Sequence, residues 1–567
     1  KRFPAFLRRD LKDRMNAPQA APEDELDLMK EIISLCKQRG FIFQSSEIYG
    51  GLKSCYDYGP LGAELKRNIM NEWWRAMVHE REDIVGLDAS IIMHTNVWKA
   101  SGHLAGFADP LVDCLISKER FRADNAPRPE PGADLPIACG DKGQAKAYHK
   151  AITERFGIEL RRRGKVLEGL KVIDEETFGF FADDSDEAAE TFSYRGYVSP
   201  EIGCPFLSDE RQFNLMFRTS LGPVDPVQRL ARAIEGKALS RDEATAIIEE
   251  KIGENAVYLR PETAQAMFVQ FANIQQALSL KVPFGIAQMG KSFRNEITVE
   301  HFIFRSCEFE QMEMEYFVEP GKQKEALDFW KDERLSWYQR YANDPSRFRL
   351  RQHEPEELAH YADDCYDIEY EYPWGWGELE GIASRTDYDL KKHSEHSGVR
   401  LTYFDPEKEN PETGKKGVHY TPYVVEPAAG ATRTTLMYLL DAFCYDSPRP
   451  DAQGKVKTRR VLKLHPRLAP YKVAVLPLVK RDGMPELARE IVQQFFNSGI
   501  NAKYDEQHQV GKRYARHDEV GTPYCLTVDG ESLEDGTVTI RDRDTTEQER
   551  IKIDEALQVV AGRLADS

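Results

Sequence analysis

At 567 residues the chain is too long for one domain of roughly 150 residues, and its 41% hydrophobic, 10% aromatic and 30% charged composition excludes a disordered bulk. With 77 Lys+Arg against 95 Asp+Glu the formal charge is -18, which excludes a protein that coats nucleic acid through its overall field. The longest apolar runs, such as VAVLPLV at 473–479, are far shorter than the ~20 residues of a membrane-spanning helix.

Residues 1–23 read as a solvated leader: KRFPAFLRRDLKDR is basic and amphipathic, but Asp10 and Asp13 oppose a transit peptide and the apolar run is too short for a secretory signal. Residues 24–122 begin with a helical pattern (Leu26, Met29, Ile32, Ile33, Cys36) that stops at Gly40. The turn-rich YDYGPLG at 56–62 follows, and then an amphipathic helix over LGAELKRNIMNEWWRAMVHE. Residues 123–210 turn polar and irregular, with prolines at 127, 129, 131 and 136 and the acid-rich FFADDSDEAAETF, and read as an insertion. Residues 211–456 carry alternating, aromatic-rich runs that predict antiparallel strands, with a plain solvated loop at 405–417. In 457–567 a basic linker, KTRRVLKLHPR, precedes a strand (YKVAVLPLV), a helix (MPELAREIVQQFFNSG) and a second strand (NAKYDE), the pattern of a small α/β domain.

Nine cysteines form no CxxC pair, which predicts reduced thiols in the cytoplasm. Cys114, Cys139 and Cys204 stand alone, so four soft ligands cannot be assembled and no zinc site is expected.

The chemistry concentrates in PFGIAQMGKSFRNEITVEHFIFRSCEFEQMEMEYFV, residues 283–318, where two alternating runs flank a polar turn near 297–302 and predict a long hairpin. Period two places Phe309, Gln311, Glu313 and Glu315 on one face and Glu308, Glu310, Met312 and Met314 on the other. Arg294 and Glu296 alternate in phase on the first run. Charges alone would fit a half-exposed, solvated sheet; the Arg-x-Glu beside a Phe-bearing return strand argues for a site.

This hairpin resembles motif 2 of class II aminoacyl-tRNA synthetases, and the whole string resembles that of the homodimeric glycyl branch. VEPAAGATRTTLMYLLDAF at 425–443 resembles motif 3, with Glu426 and Arg433 seven positions apart, and YLRPETAQAMFVQF at 258–271 resembles the signature that precedes motif 2. WGELEGIASRTDYDL and SGHLAGFADPLVDC also match, so the resemblance covers about residues 25–550. It implies an α+β fold: an antiparallel sheet of six to seven strands flanked by helices, dimerised through motif 1, with an insertion and a C-terminal α/β anticodon-binding domain. Motif 1 should span the helix near 61–80 and a strand at 85–98, where His94 and Asn96 stand near the place of the usual proline.

The implied reaction joins glycine to tRNA(Gly) through a glycyl-adenylate, with ATP and Mg2+ required. It needs positioning and charge neutralisation more than a protein base, and arginine forks suit phosphate oxygens. By the family pattern Arg294 holds the α-phosphate and Arg433 the γ-phosphate. Phe309 stacks on adenine, Phe304 and Arg305 line the site, and Asn295, Glu296, Leu379 and Gly430 lie close by. Glu378 is the carboxylate for magnesium. Glycine offers only its ammonium, its carboxylate and the absence of a Cβ. The resemblance assigns Glu262, Glu313 and Glu426 to the ammonium, Arg122 to the carboxylate and Gln311 to a supporting contact, with Phe309, Ala428 and Gly430 adjoining. Ala428 stands where motif 3 usually has serine, removing one polar contact. The rival readings are a synthetase for threonine or proline, opposed by RPETAQ and the carboxylate-rich face, and a non-catalytic tRNA-binding paralogue, opposed by Arg294 and Arg433.

The C-terminal strings VGKRYARHDEVGTPYCLTVD and LEDGTVTIRDRDTTEQERI resemble the anticodon-binding domain of the glycyl, prolyl, threonyl and histidyl enzymes. Residues 467–567 hold 14 Lys+Arg against 18 Asp+Glu, a net of -4, so bulk charge does not attract RNA. Lys512, Arg513 and Arg516, with Lys457, Arg459, Arg460 and Lys463 in the linker, are the candidates for phosphate contacts.

Overall fold

The computed structural model describes residues 23–182, 185, 187–223, 225–253, 256–296, 301–359, 361–410, 413–446 and 458–567. Most of the expected leader and Lys457 lie outside them. The chain divides into two units, one built from Lys1–Met93, Glu262–Phe293 and Glu300–Ser567, the other from His94–Pro261 and Arg294–Val299.

In the first unit, helix α1 (Glu23–Arg39) buries Ile32, Leu35 and Cys36 and stops where Gly40 takes φ +78°, a left-handed conformation suited to glycine. Helix α2 (Pro60–Trp74) runs on into a wider turn at Arg75–His79. The organising element is a seven-stranded sheet of β1 (Ile84–Leu87), β2 (Phe284–Phe293), β3 (Glu308–Val318), β4 (Phe348–Gln352), β5 (Asp364–Tyr372), β6 (Gly375–Thr386) and β7 (Tyr423–Gly430), in spatial order β4-β5-β6-β7-β3-β2-β1. Every pair is antiparallel except β1 on β2. The expected strand at 85–98 is corrected: it shortens to β1 and Ile92–Met93, and Thr95–Ala100 is helical because His94 Nδ1 caps it, accepting from Asn96 N at 3.1 Å.

One face of this sheet is apolar. Met312, Met314, Ile368, Ile382 and Ala429 pack under α2, α4 (Gln323–Tyr341) and α6 (Ala431–Ala442). The other face is polar, and α3 (Ala264–Leu278) and α5 (Tyr388–Ser397) cover its end, joined by Phe268, Phe271, Ile286 and Leu390. The segment 405–417, expected as a loop, instead contributes to a hairpin of Tyr403–Glu409 with Lys416–Tyr420.

At the C-terminal end, β8 (Val473–Pro477), β9 (Ala502–Tyr504), β10 (Tyr524–Val528), β11 (Thr537–Asp542) and β12 (Gln548–Lys552) form a sheet in the order β9-β8-β10-β11-β12. Helices α7 (Met484–Asn497) and α9 (Ile553–Asp566) close its core through Ile491, Phe495 and Val560, while α8 (Val510–Glu519) lies between them in the chain.

The second unit has its own core, from Val112 to Phe206, so the stretch expected to be irregular is not. It contains the helix Lys142–Phe156 and the strands Thr177–Phe180 and Glu190–Ser193. This unit is wider than the 123–210 expected for the insertion, and 226–253, expected as strand, forms the helices Pro226–Ile234 and Arg241–Gly253. Cys114 and Cys204, read as isolated, meet here. The neighbouring Cys204 thiol, against the opposing effect of burial and with help from Ser117, lowers the Cys114 thiol to about 6.

Candidate active site

Register aligns the polar face in two rows across the strands. Gln288, Glu313, Ala428, Gly381 and Asp367 are successive neighbours from β2 to β5, and Ile286, Glu315, Glu426, Ala383 and Cys365 form the next row. The smallest residues are Ala428 and Gly381 in the first row and Ala383 in the second, so a hollow lies over these three. A Cβ added at Gly381 would meet nothing closer than Asp367 Oδ1 at 3.7 Å and Glu378 Oε1 at 3.9 Å.

At one end of this hollow Glu313, Glu315 and Glu426 place carboxylate oxygens within 4.8 Å of one another. All three are buried, Glu315 completely. Desolvation first, and then Glu426 and Glu262, push Glu313 up to about 8, while burial and Glu426 raise Glu315 well above the carboxylate range. Two ionised carboxylates this close repel each other, so the approach of Glu315 to Glu426 favours the protonated form of the fully buried Glu315. Thr263 holds Glu313 through its hydroxyl and through its amide at 3.0 Å.

Arg385, 2% exposed, is the cation of this cluster, donating to Asp389 at 2.9 and 3.2 Å and to Glu426. Gln265 donates to Glu262 at 3.0 Å and to Asp389 at 2.9 Å. Sequence reasoning named Glu262, Glu313 and Glu426 but missed Arg385, Asp389, Gln265 and the role of Glu315. The i,i+4 spacing of Arg385 and Asp389 was the available signal. The carboxyls outnumber this guanidinium, which leaves the pocket poised for a further, small cation.

The proton balance is testable. The folded pocket retains protons that an unfolded chain releases in the ordinary range near 4.5. Its contribution is therefore complete at low pH and lost as pH rises towards about 8. The melting temperature of the ligand-free protein is expected to fall across that window, and to fall less in Glu313→Gln. An identical slope in both proteins would remove Glu313 as the cause.

A second cluster forms at the rim. Arg433, in the first turn of α6, reaches Glu378 Oε2 at 3.0 Å, the Glu378 carbonyl at 3.2 Å and the Phe304 carbonyl at 3.3 Å. Its guanidinium lies 4.6 Å over the Phe304 ring. Phe304 is itself held edge-on by Tyr372 and Trp374, at 5.2 and 5.4 Å. Glu378 points to this side because Leu379 is the extra residue of a β-bulge: Glu380 pairs with Ile368 and Glu378 with Glu369. Leu379 is thereby turned into the apolar core, so its side chain does not line the site expected for it. Arg305 is half-buried beyond the short turn Phe302–Phe304. Phe309 lies opposite Ser292, and Gln311 lies opposite Gly430 and accepts from Ser292 at 2.5 Å.

The remaining candidates belong to the second unit. Arg294 and Glu296 are not on the hairpin strand, which ends at Phe293. The backbone leaves the ladder because Glu296 N turns back to Arg294 O at 2.7 Å and Asn295 N bonds Leu215 O at 2.8 Å. Arg294 donates to the Pro261 carbonyl at 3.1 Å and lies over Phe107 at 5.4 Å. Arg122 is held by Asp109 at 3.0 Å and Asp124 at 2.6 Å.

Residues 472–563 match the family described as anticodon binding domain. The chain is 43% identical to a glycine–tRNA ligase of Treponema denticola over 530 residues, covering 93% of this chain and 95% of the relative. The chain belongs to the glycine–tRNA ligase family. Another such ligase, of Chlorobaculum tepidum, is 42% identical over 94% of this chain and the relative's whole length. Among solved structures, prolyl-tRNA synthetase of Cryptosporidium parvum, complexed with L-proline and AMP, aligns with a TM-score of 0.51 at 12% identity, over 94% of this chain and 75% of that one. That likeness carries the class II fold, including the C-terminal anticodon-binding domain. No helix among the described residues is long and apolar enough to cross a membrane.

The basic clusters expected to meet tRNA are committed internally in this domain. Arg513, 3% exposed, donates to the carbonyls of Pro477 at 2.6 Å and Leu478 at 3.2 Å. Arg516 donates to Gln507 O at 2.9 Å. Arg459 pairs with Asp446 and Asp518, each at 2.6 Å, Arg460 with Glu519 at 3.2 Å, and Lys463 with Asp446 at 3.3 Å. Buried backbone carbonyls and carboxylates outcompete solvent for these cations, whereas Lys512 stays exposed. Arg513→Ala is therefore expected to destabilise the domain without changing the salt dependence of tRNA binding. A salt slope shallower by about one unit would instead place Arg513 on a phosphate.

Proposed function

We propose that the chain attaches glycine to tRNA(Gly) in two steps. The glycine carboxylate attacks the α-phosphate of ATP and expels pyrophosphate. The terminal ribose hydroxyl of the tRNA then attacks the glycyl carbonyl and releases AMP. The observation that carries this reading is the buried Glu313–Glu315–Glu426 cluster with one arginine, beside a hollow floored by Ala428 and Gly381. An ammonium offsets the surplus negative charge there, and a hollow floored by small residues suits a substrate without a side chain.

In this reading Glu262, Glu313 and Glu426 receive the ammonium, and Arg122, oriented by its two aspartates, receives the carboxylate. Gln311 braces the floor, and the alanine at 428 leaves one polar contact of the substrate to water. Arg294 neutralises the α-phosphate, Arg433 the γ-phosphate, and Phe309 stacks on adenine with Phe304, Arg305, Asn295, Glu296 and Gly430 around it. The half-exposed Glu378 carboxylate offers the hard oxygen that a magnesium ion on phosphates takes from protein, and such an ion neutralises charge on the leaving pyrophosphate. The division of the chain follows the motifs: catalytic residues on 24–122 and 211–456, an insertion at 123–210 and an anticodon-binding part within 457–567. A homodimer through motif 1 and a cytoplasmic location complete the reading, the latter supported by nine free thiols.

ATP–pyrophosphate exchange with glycine, alanine, serine, threonine and proline tests it. Exchange is expected with glycine and at least about 10-fold weaker with alanine, since one methyl is worth roughly 1–3 kcal/mol. Exchange with threonine or proline but not glycine would overturn the assignment.

A further inference from the structure

Next to the hollow, on the outer side of Gly381 and Ala383, lie three side chains that neither step above uses. His353 follows the end of β4, and Cys365 and Asp367 are on β5, in the same two rows as Glu426 and Glu313. One donor atom of each, an imidazole nitrogen, a thiol sulfur and a carboxylate oxygen, lies within 4.8 Å of the others. The backbone fixes this arrangement, because His353 N donates to the Cys365 carbonyl at 3.0 Å.

His353 Nε2 is buried, makes no aligned hydrogen bond and lies 2.9 Å from Asp367 Oδ2. A cavity of about 340 Å³ opens beside them, lined by His353, Glu354, Leu358, Asp363 and Asp364, and supplies a path from solvent. The carboxylates of Asp367, Glu426, Glu378 and Asp364 surround Cys365 with negative charge. That negative field favours a cation and, once one is bound, the thiolate.

We propose that His353, Cys365 and Asp367 form a zinc site, distinct from the carboxylate that would meet the magnesium of ATP. The mixed nitrogen, sulfur and oxygen set is that of a borderline-soft divalent ion, with three protein ligands and a fourth position open towards the cavity. Ligand bonds of about 2.0–2.3 Å in a tetrahedron put donors about 3.3–3.8 Å apart, so only small side-chain rotations close the site. Arg351 lies beside Asp367 at 3.2 Å, and it keeps Glu357 at 2.9 Å and Glu369 at 3.2 Å when the ion takes that carboxylate. Binding ties both ends of the 353–364 connection to the sheet, two strands from Glu426.

Zinc and cobalt are titrated into the full chain, without ATP or glycine, with calorimetry and absorption as readouts. One Zn2+ per chain is expected, together with a thiolate-to-metal charge-transfer band in the Co2+ form. Cys365→Ser, nearly isosteric, should abolish the band, and His353→Gln should weaken Zn2+ at least about tenfold while keeping it. A Co2+ spectrum without the band would overturn the proposal on the wild-type protein alone. So would loss of the band in Cys114→Ser, or loss of Zn2+ in Glu426→Gln with His353→Gln unaffected. None of these readouts depends on glycine activation, so the site and the proposed activity fail separately.

Discussion

Arg433→Ala is expected to lower glycine-dependent pyrophosphate exchange by about 10²–10³-fold, the effect of removing one preorganised donor from a developing oxyanion. Glu378, the Phe304 carbonyl and the Phe304 ring fix its guanidinium, which preorganises it for the proposed phosphate contact. Arg433→Lys keeps the charge but not the fork that grips two oxygens, so most of the loss should remain. Because the side chain is 24% exposed at the rim of the site, thermal stability should change little. Near-normal exchange in Arg433→Ala, with an unchanged melting curve, would remove it from the phosphate site.

Arg334→Met is expected to be the opposite kind of variant, costing about 3–5 kcal/mol of stability through an unpaired buried charge. Arg334 on α4 meets Glu380 on β6 through two bonds of 2.8 and 3.1 Å, with side chains 1% and 0% exposed. Its guanidinium also lies 4.7 Å over Trp337. Replacing both partners with methionine should recover most of the loss, since the pair's desolvation cost nearly offsets its attraction. Denaturant unfolding of the two single variants and the double variant closes the cycle. Additive losses in the double variant would mean that the two residues are not coupled.

These two glutamate environments show where sequence reading stops. Glu378 and Glu380 sit two apart in WGELEG, and strict alternation puts them on one face. The bulge at Leu379 separates them, sending Glu378 to Arg433 and Glu380 to Arg334. No local signal marks the bulge. The hairpin return strand obeyed its alternation throughout, with Met312 and Met314 in the core and Glu313 and Glu315 in the pocket. The first strand did not carry it as far as Arg294, because the bond of Asn295 N to Leu215 O, some eighty residues earlier, and the turn of Glu296 N back to Arg294 O pull the backbone away. Polarity and proline content likewise understated the second unit, whose apolar residues are too dispersed in sequence to announce a core.

The sequence alone determined the elements with strong period or punctuation: α1 ending at Gly40, the carboxylate-bearing strand, and the strand–helix–strand of the C-terminal domain. It also carried the family, because short motifs survive as strings of residue types. Only the tertiary structure decided which charges are spent. Arg513, Arg459 and Arg460 look available on paper and are consumed by carbonyls and carboxylates inside the fold. The formal charge of -18 is redistributed in the same way. A carboxylate's field depends on what lies across the neighbouring strands, and register sets Glu313, Glu315, Glu426 and Arg385 together from segments that are distant in sequence.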